Sequence, residues 1–350
     1  LNSSKTGVLL LNLGTPNSPS TADVRKYLNQ FLYDPRVIEL PTLLRWLLVK
    51  CIIVPFRAAK SAAAYKKIWQ AAGSPLLINS MQIKDNLAEL LGSKYAVVLG
   101  MRYGNPSISA AIAQLQQQDI DKIIVLPLFP QYSSAATGSA LEEALQIIAK
   151  FKIIPQLEVK PEYFQQPGFI ACLAESIKPY IESDFDYLLM SYHGLPEQQM
   201  EHSKNTACDM QQPCPQINSN NSNCYRAQCY QTSRLLAQNL NLSAEQWGIG
   251  FQSRLGRLPW IKPYSDEVLV KLRQQGLRKL VVCCPSFVAD CLETLEEIGI
   301  MASEQWLSLG GESLRLVPCL NARRNWIELL ANMINKTALV SVNARTCTTT

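Results

Sequence analysis

Two histidines occur in the 350 residues, and one of them, His193, closes an apolar run, Asp186-Tyr-Leu-Leu-Met-Ser-Tyr-His193, that breaks at Gly194 and Pro196. β-Formers ending at Gly and Pro read as a buried strand that delivers its last side chain to a turn. In open α/β sheets ligands bind outside such strand ends. Histidine titrates near neutrality, so His193 is a candidate proton acceptor or metal ligand, with a hydrogen-bonded structural histidine as the alternative. A second set of groups follows the apolar run Lys279 to Pro285: Asp290, Glu293, Glu296 and Glu297. Helical spacing puts Glu293 and Glu297 on one face, with Asp290 a turn earlier. Such a carboxylate row can relay protons or pass a divalent cation, and it also suits a solvated helix start favoured by the helix dipole. The third set is Cys208, Cys214, Cys224 and Cys229, with five, nine and four residues between them around an Asn/Ser-rich middle.

The elements that must position these groups alternate. Strands are expected at Gly7 to Leu13, Tyr95 to Gly100, Lys122 to Pro127 and Leu157 to Lys160. A second series follows at Asp186 to His193, Trp247 to Phe251, Lys279 to Pro285 and Ser313 to Val317. Helical patterns at Gln82 to Leu91, Ile108 to Gln118, Ala140 to Lys150, Phe169 to Ile181 and Asp266 to Gln275 lie between them. Strand–helix alternation is the signature of a parallel sheet. The expected fold is therefore α/β: two Rossmann-like domains, residues 1–165 and 166–335, each a four-stranded parallel sheet flanked by helices, facing each other across a cleft. A last helix, Asn325 to Asn335, packs back on either domain, and residues 336–350 form a polar tail.

Composition narrows the function classes. The chain is 47% hydrophobic and 17% charged with a net charge of +5, an ordinary globular balance. No basic block with interleaved aromatics points to nucleic acid. The first residues lack the charged-then-apolar pattern of a secretory signal, so a cytoplasmic protein is expected. Eleven cysteines in such a compartment argue for metal chemistry over a disulfide framework. Four thiolates in one segment suit a structural zinc or a 2Fe-2S cluster, and free thiols are the third reading. Residues 40–57 form an apolar stretch interrupted by Arg45, Lys50 and Pro55, too broken to span a bilayer. Leucines, Trp46 and Phe56 among these cations describe an interfacial helix that dips into lipid or covers a large apolar ligand; a core helix with snorkelling cations is the alternative.

Several strings occur together and in order: Asn12-Leu-Gly-Thr-Pro16, Tyr65-Lys-Lys-Ile-Trp69, Gly73-Ser-Pro-Leu76, Met101-Arg-Tyr-Gly-Asn-Pro106 and Leu126-Pro-Leu-Phe-Pro-Gln-Tyr-Ser133. They are followed by Ser191-Tyr-His-Gly-Leu-Pro196, Phe251-Gln-Ser-Arg254 and Asp290-Cys-Leu-Glu-Thr-Leu295. This set resembles the ferrochelatases over residues 6 to 335. The resemblance implies insertion of ferrous iron into protoporphyrin IX with release of two protons, the last step of haem synthesis. It implies His193 as the base and Glu293 as its partner, both near the iron, with Glu297 on a metal path. Leu13, Arg102, Tyr103, Tyr132 and Ser133 would contact the porphyrin, Arg102 through a propionate.

The resemblance further implies that residues 40–57 are a lip at a membrane surface, which places the enzyme on the inner face of the cytoplasmic membrane. Leu13 matches relatives that use protoporphyrin, whereas relatives acting on coproporphyrin often carry tyrosine there. Some ferrochelatases hold a 2Fe-2S cluster, which Cys208, Cys214, Cys224 and Cys229 would ligate here. Two residues depart from the pattern: Cys291 stands where many relatives have histidine, and Met301 ends the acidic row. A coproporphyrin or other tetrapyrrole chelatase and a noncatalytic porphyrin carrier are the competing readings, and the chain is compatible with a monomer or a homodimer.

Overall fold

The computed structural model describes residues 5–201, 210, 212–254, 256 and 258–335. Eight strands form two parallel sheets. In the first, β1 (Lys5–Thr15), β2 (Tyr95–Gly104), β3 (Ile120–Pro127) and β4 (Gln156–Val159) lie in the order β2-β1-β3-β4. In the second, β5 (Tyr187–His193), β6 (Trp247–Gln252), β7 (Lys279–Cys283) and β8 (Ser313–Leu316) repeat it as β6-β5-β7-β8. The expected strands are all present. β1 and β2 run further than their apolar residues suggested, because Gly14 and Thr15 still pair with Tyr103 and Gly104. β7 stops short of Pro285, consistent with a residue that has no N–H to give a ladder.

The central strands read as unbroken apolar runs because parallel sheets are covered on both faces. Val8 and Leu10 of β1 enter one buried cluster, and Leu9 and Leu11 enter another on the opposite face. β5 divides likewise, with Leu188 and Met190 on one side and Leu189 on the other. The first of these clusters is shared: Val8 and Leu10 belong with Leu188 and Met190, joined by Phe169, Leu173 and Trp326. The two sheets are thus two lobes built around one common core.

The helices are α1 (Thr21–Leu32), α2 (Thr42–Leu47), α3 (Val54–Ile68), α4 (Pro75–Leu91), α5 (Ile108–Gln116), α6 (Ser139–Ile148) and α7 (Pro167–Ile181). They continue as α8 (Gln198–Glu201), α9 (Tyr225–Asn239), α10 (Ser265–Gln274), α11 (Ser303–Ser308) and α12 (Arg324–Asn335). α7 lies in sequence between the two sheets and packs on α9. α12 returns from the second lobe to pack on α4 of the first and on α7.

Two regions differ from expectation in ways that bear on function. Residues 40–57 are helical: α2, a π-helical turn over Leu48–Ile53 and the start of α3. Arg45, Val49 and Val54 are buried, whereas Leu43 (70% exposed), Phe56 (82%), Leu44, Trp46, Leu47 and Ile52 are open to solvent. That distribution does not fit the core-helix alternative for these residues. No helix among the described residues is long and apolar enough to cross a membrane. The acidic segment also winds as a π-helix, Glu293–Ala302, whose hydrogen bonds reach one residue further than in an α-helix.

Candidate active site

Both sheets reverse direction beside their first strands: the chain leaves β1 for β2 on one side and crosses back to β3 on the other, and β5, β6 and β7 repeat this. Loops following such a pair diverge and leave a crevice at the strand carboxyl ends. The main pocket lies at both switch points at once. Asn12 to Thr15 end β1, Leu128, Phe129, Gln131, Ser133, Ala135 and Ala136 follow β3, His193 ends β5 with Leu195 just beyond it, and Ser286 to Ala289 and Cys291 to Glu293 follow β7. Tyr27, Phe31 and Tyr65 from α1 and α3 add aromatic wall. The pocket contains about 1010 Å³ of empty space, part of it open to solvent.

Close backbone approach at its floor depends on Gly14. Its φ of +111° disfavours a side chain, and a Cβ there would stand 1.8 Å from the carbonyl oxygen of Tyr103.

His193 is held on three sides. Its Nδ1 lies 2.6 Å from the carbonyl oxygen of Gly194, its own carbonyl accepts from the Tyr225 hydroxyl at 2.9 Å, and the Gly194 N–H donates to Gln252 O at 2.8 Å. A carbonyl can only accept, so Nδ1 carries the proton and Nε2 keeps its lone pair. Burial lowers the imidazole pKa, the Glu293 carboxylate and the Gly194 carbonyl oppose this, and the Arg57 charge lowers it further. His193 is therefore neutral at neutral pH, which a proton acceptor requires. Glu293 lines the same pocket, with Cys291 beside it. Burial, followed by the Glu293 charge, pushes the Cys291 thiol well up, so it stays protonated and serves Glu293 as a hydrogen-bond donor.

Glu297 faces a neighbouring cleft rather than this pocket, along with Arg57, Ser253 and Arg254. It accepts hydrogen bonds from the Ser253 hydroxyl and from Gln252 Nε2 at 3.1 Å. Burial, then repulsion from Glu293, raises its pKa to about 7. Met301 lies on the rim of that cleft.

Leu13 and Ser133 line the main pocket, and Tyr132 lines an adjoining cavity that shares Ser133, Leu195 and Tyr225 with it. Arg102 and Tyr103 are placed elsewhere. Arg102 lies 2.6 Å from Asp34 Oδ2 and 2.5 Å from Glu143 Oε2, and it also donates to Ser139. Tyr103 is 2% exposed, and its hydroxyl donates to Asp34. Burial opposes ionisation of Asp34, but hydrogen bonds from Ser139, the Arg36 N–H and Tyr103, with the Arg102 charge, hold its carboxyl below the usual range. A guanidinium between two carboxylates, one of them buried, has its anions already. Arg102 thereby forms a brace joining β2, α6 and the chain leaving α1.

Tyr27, Tyr65 and Gln131 are pocket residues that motif reasoning did not single out. Tyr65 and Gln131 lay within the quoted strings, while Tyr27 sits in a segment with no such signal.

Cys214, Cys224 and Cys229 are buried, and the Cys229 thiol is pushed well up by burial, with Cys224 and Cys214 near enough to contribute. Arg226, 1% exposed, directs Nη1 at Cys214 Sγ at 3.1 Å. Among the described residues no group of three or more such ligands converges on one metal point. Cys208 and the second histidine, His202, lie outside the described residues.

Comparison with known proteins follows this geometry. The ferrochelatase family model matches residues 5–338. A ferrochelatase of Legionella pneumophila is 51% identical over 332 residues, 94% of this chain and 98% of that protein. One of Coxiella burnetii is 50% identical over 338 residues, 96% and 94% respectively. Among solved structures, SirB from Bacillus subtilis with Fe3+ has a TM-score of 0.55 at 10% identity, covering 96% of both chains, a likeness of fold alone. With two switch-point crevices closing on a neutral histidine and a carboxylate, and with relatives matched over nearly its whole length, this chain belongs to the ferrochelatase family.

Proposed function

We infer that the chain is a chelatase inserting ferrous iron into protoporphyrin IX in the interlobe pocket, with His193 accepting the pyrrole protons. The observation that carries this reading is the His193 ring, with Nδ1–H committed to Gly194 O and Nε2 left as a base in a pocket shared with Glu293. Metallation replaces two N–H bonds by bonds to iron, so two protons must leave as the cation enters. A buried neutral imidazole accepts a proton without first losing one, and Glu293 stabilises the imidazolium that results. Apolar walls at Leu13, Leu128, Phe129 and Val288 suit the flat macrocycle and exclude water from the reacting nitrogens. Leu13, together with the absence of a free guanidinium at Arg102, favours protoporphyrin over a more anionic porphyrin. Ser133 is read as a porphyrin contact and Tyr132 as a contact at the edge of the site. Glu297 is read as a stage on the metal's path.

The test is anaerobic insertion of Fe2+ into proto- and coproporphyrin by wild type and His193→Ala. A 10²- to 10⁴-fold loss is expected on removing a general base. A wild-type rate in H193A would overturn the base assignment, and preference for coproporphyrin would overturn the substrate.

Cys208, Cys214, Cys224 and Cys229 would hold a 2Fe-2S cluster, a one-electron centre when bound, and no step of metallation assigned here uses it. The visible spectrum of anaerobically purified protein decides: iron–sulfur absorption that Cys229→Ser abolishes is expected, and a colourless protein carrying one zinc refutes the cluster.

The exposed apolar side chains of residues 40–57 support peripheral attachment to the cytoplasmic face of a membrane, from which an apolar porphyrin would enter.

A further inference from the structure

We propose that Tyr225 is a positioning residue that fixes the tautomer of His193: by holding the His193 carbonyl, its hydroxyl keeps the next carbonyl where it takes the Nδ1 proton, which leaves Nε2 free as a base. The effect on rate rests on reading His193 as the base; the effect on the tautomer does not. The Tyr225 hydroxyl donates to His193 O at 2.9 Å, and the Gly194 N–H, at the other end of the same peptide unit, donates to Gln252 O at 2.8 Å. A peptide unit is planar, so these two bonds set its orientation between them. The following unit carries Gly194 O, which lies 2.6 Å from His193 Nδ1. The joint between the two units is Gly194 itself, where a Cβ would stand 2.8 Å from Gln252 O, so no other residue fits there without a shift. Glycine is the most permissive backbone position, and order at this joint must come from the hydrogen bonds around it.

Which nitrogen of a neutral imidazole carries the proton is set by the hydrogen bonds that the ring makes. With Gly194 O in line, the proton stays on Nδ1. Once that carbonyl drifts, the proton is shared with Nε2, and a ring protonated at Nε2 has no lone pair there for a pyrrole proton. Tyr225 is suited to prevent this. It is 6% exposed, opens α9 directly after Cys224, and lines the same pocket as His193. Burial pushes its phenol pKa well up, so it remains a donor. The same helix reaches β5 a second time, where the hydroxyls of Tyr192 and Ser233 lie 2.7 Å apart. That bond ties the same two elements but is made by neither His193 nor Gly194, and it supplies the control.

The experiment compares wild type, Tyr225→Phe and Tyr192→Phe by long-range proton–nitrogen NMR of the full chain, labelled with nitrogen-15 in its histidines, at neutral pH. The chain has two histidines, and the signals lost in His193→Ala identify that residue. Protonated and bare ring nitrogens resonate far apart, so the tautomer is read directly. Wild type is expected to show a protonated Nδ1 and a bare Nε2. Y225F is expected to show the proton divided between them. Its kcat for iron insertion should fall about 3- to 10-fold, the worth of one neutral hydrogen bond, with KM for protoporphyrin within about twofold because the phenyl ring remains. Y192F loses an equally buried tyrosine hydroxyl and is expected to keep the wild-type tautomer. A wild-type tautomer in Y225F, or an equal shift in Y192F, overturns the proposal. A wild-type rate in H193A instead overturns the base assignment and leaves the tautomer measurement standing.

Discussion

Replacing Glu297 by glutamine should make the protein's stability less sensitive to alkali. Glu297 is pressed between Gln252, Ser253 and the Glu293 carboxylate, and burial with that repulsion raises its pKa from 4.5 to about 7. The unfolded chain releases this proton near 4.5. Between those values the folded state holds more protons than the unfolded one, so the contribution of Glu297 to stability falls as pH rises and levels off above about 7. At 1.36 kcal/mol per pH unit the descent between pH 5 and pH 8 is about 2.5 kcal/mol. The carboxyl is partly open to its cleft, so screening makes this an upper bound, and a change of about 1 kcal/mol would still carry the sign. Glutamine is neutral throughout and lacks the descent. The assay is urea unfolding followed by tryptophan fluorescence at pH 5, 6, 7 and 8 for both proteins. Their difference should grow in favour of E297Q across this range, whatever constant offset the altered hydrogen bonds to Ser253 and Gln252 introduce. A difference that is flat, or that shrinks with pH, would refute the reasoning, because groups elsewhere titrate alike in both proteins.

Gly14→Ala should cost about 3 kcal/mol or more, since a Cβ would meet the Tyr103 carbonyl in a positive-φ backbone. Gly92→Ala, at φ +73° and ψ −173° with open space around it, should cost about 1–3 kcal/mol from backbone strain alone, and equal losses in urea midpoint would discount the close approach at Gly14. Changing Leu43 and Phe56 together to serine should leave the unfolding midpoint in place because both are exposed, yet weaken co-sedimentation with anionic phospholipid vesicles by about 10- to 100-fold. Unaltered vesicle binding would remove residues 40–57 from the membrane contact.

Local pattern carried the strands and most helices because each buried strand is an apolar run bounded by turn residues. It carried less well what depends on lateral order. That β1, β3, β5 and β7 end around one pocket follows from a strand order reversed about the first strand of each sheet, which no string of residues displays. Arg102 shows the cost. The family resemblance put it at a propionate, but Asp34 and Glu143 arrive from distant elements and pair with its guanidinium. Glu293 and Glu297 lie four apart on a ten-residue π-helix, Glu293–Ala302, a form with no strong sequence signal, and no string of residues shows that they line adjoining cavities. His193 was legible at its strand end because strand ends are where a parallel sheet presents its chemistry, whereas Leu13 came from the family resemblance.

The separation of the two glutamates is what allows one cluster to do both acid and base work. Were Glu293 and Glu297 both to charge in one closed cavity, their repulsion would hold a proton there, and the histidine would compete for it. Placed in adjoining cavities, they are still close enough for Glu293 to raise Glu297 to about 7 while Arg57 bears on both Glu297 and His193. Environments that push neighbouring pKa values apart mark the division between donor and acceptor. On the proposed roles, the neutral His193 would receive a proton, and Glu297, partly protonated near neutrality, would give one up to an arriving cation. A divalent cation bound beside Glu297 would lower that carboxyl's pKa and release its proton to the outer cleft.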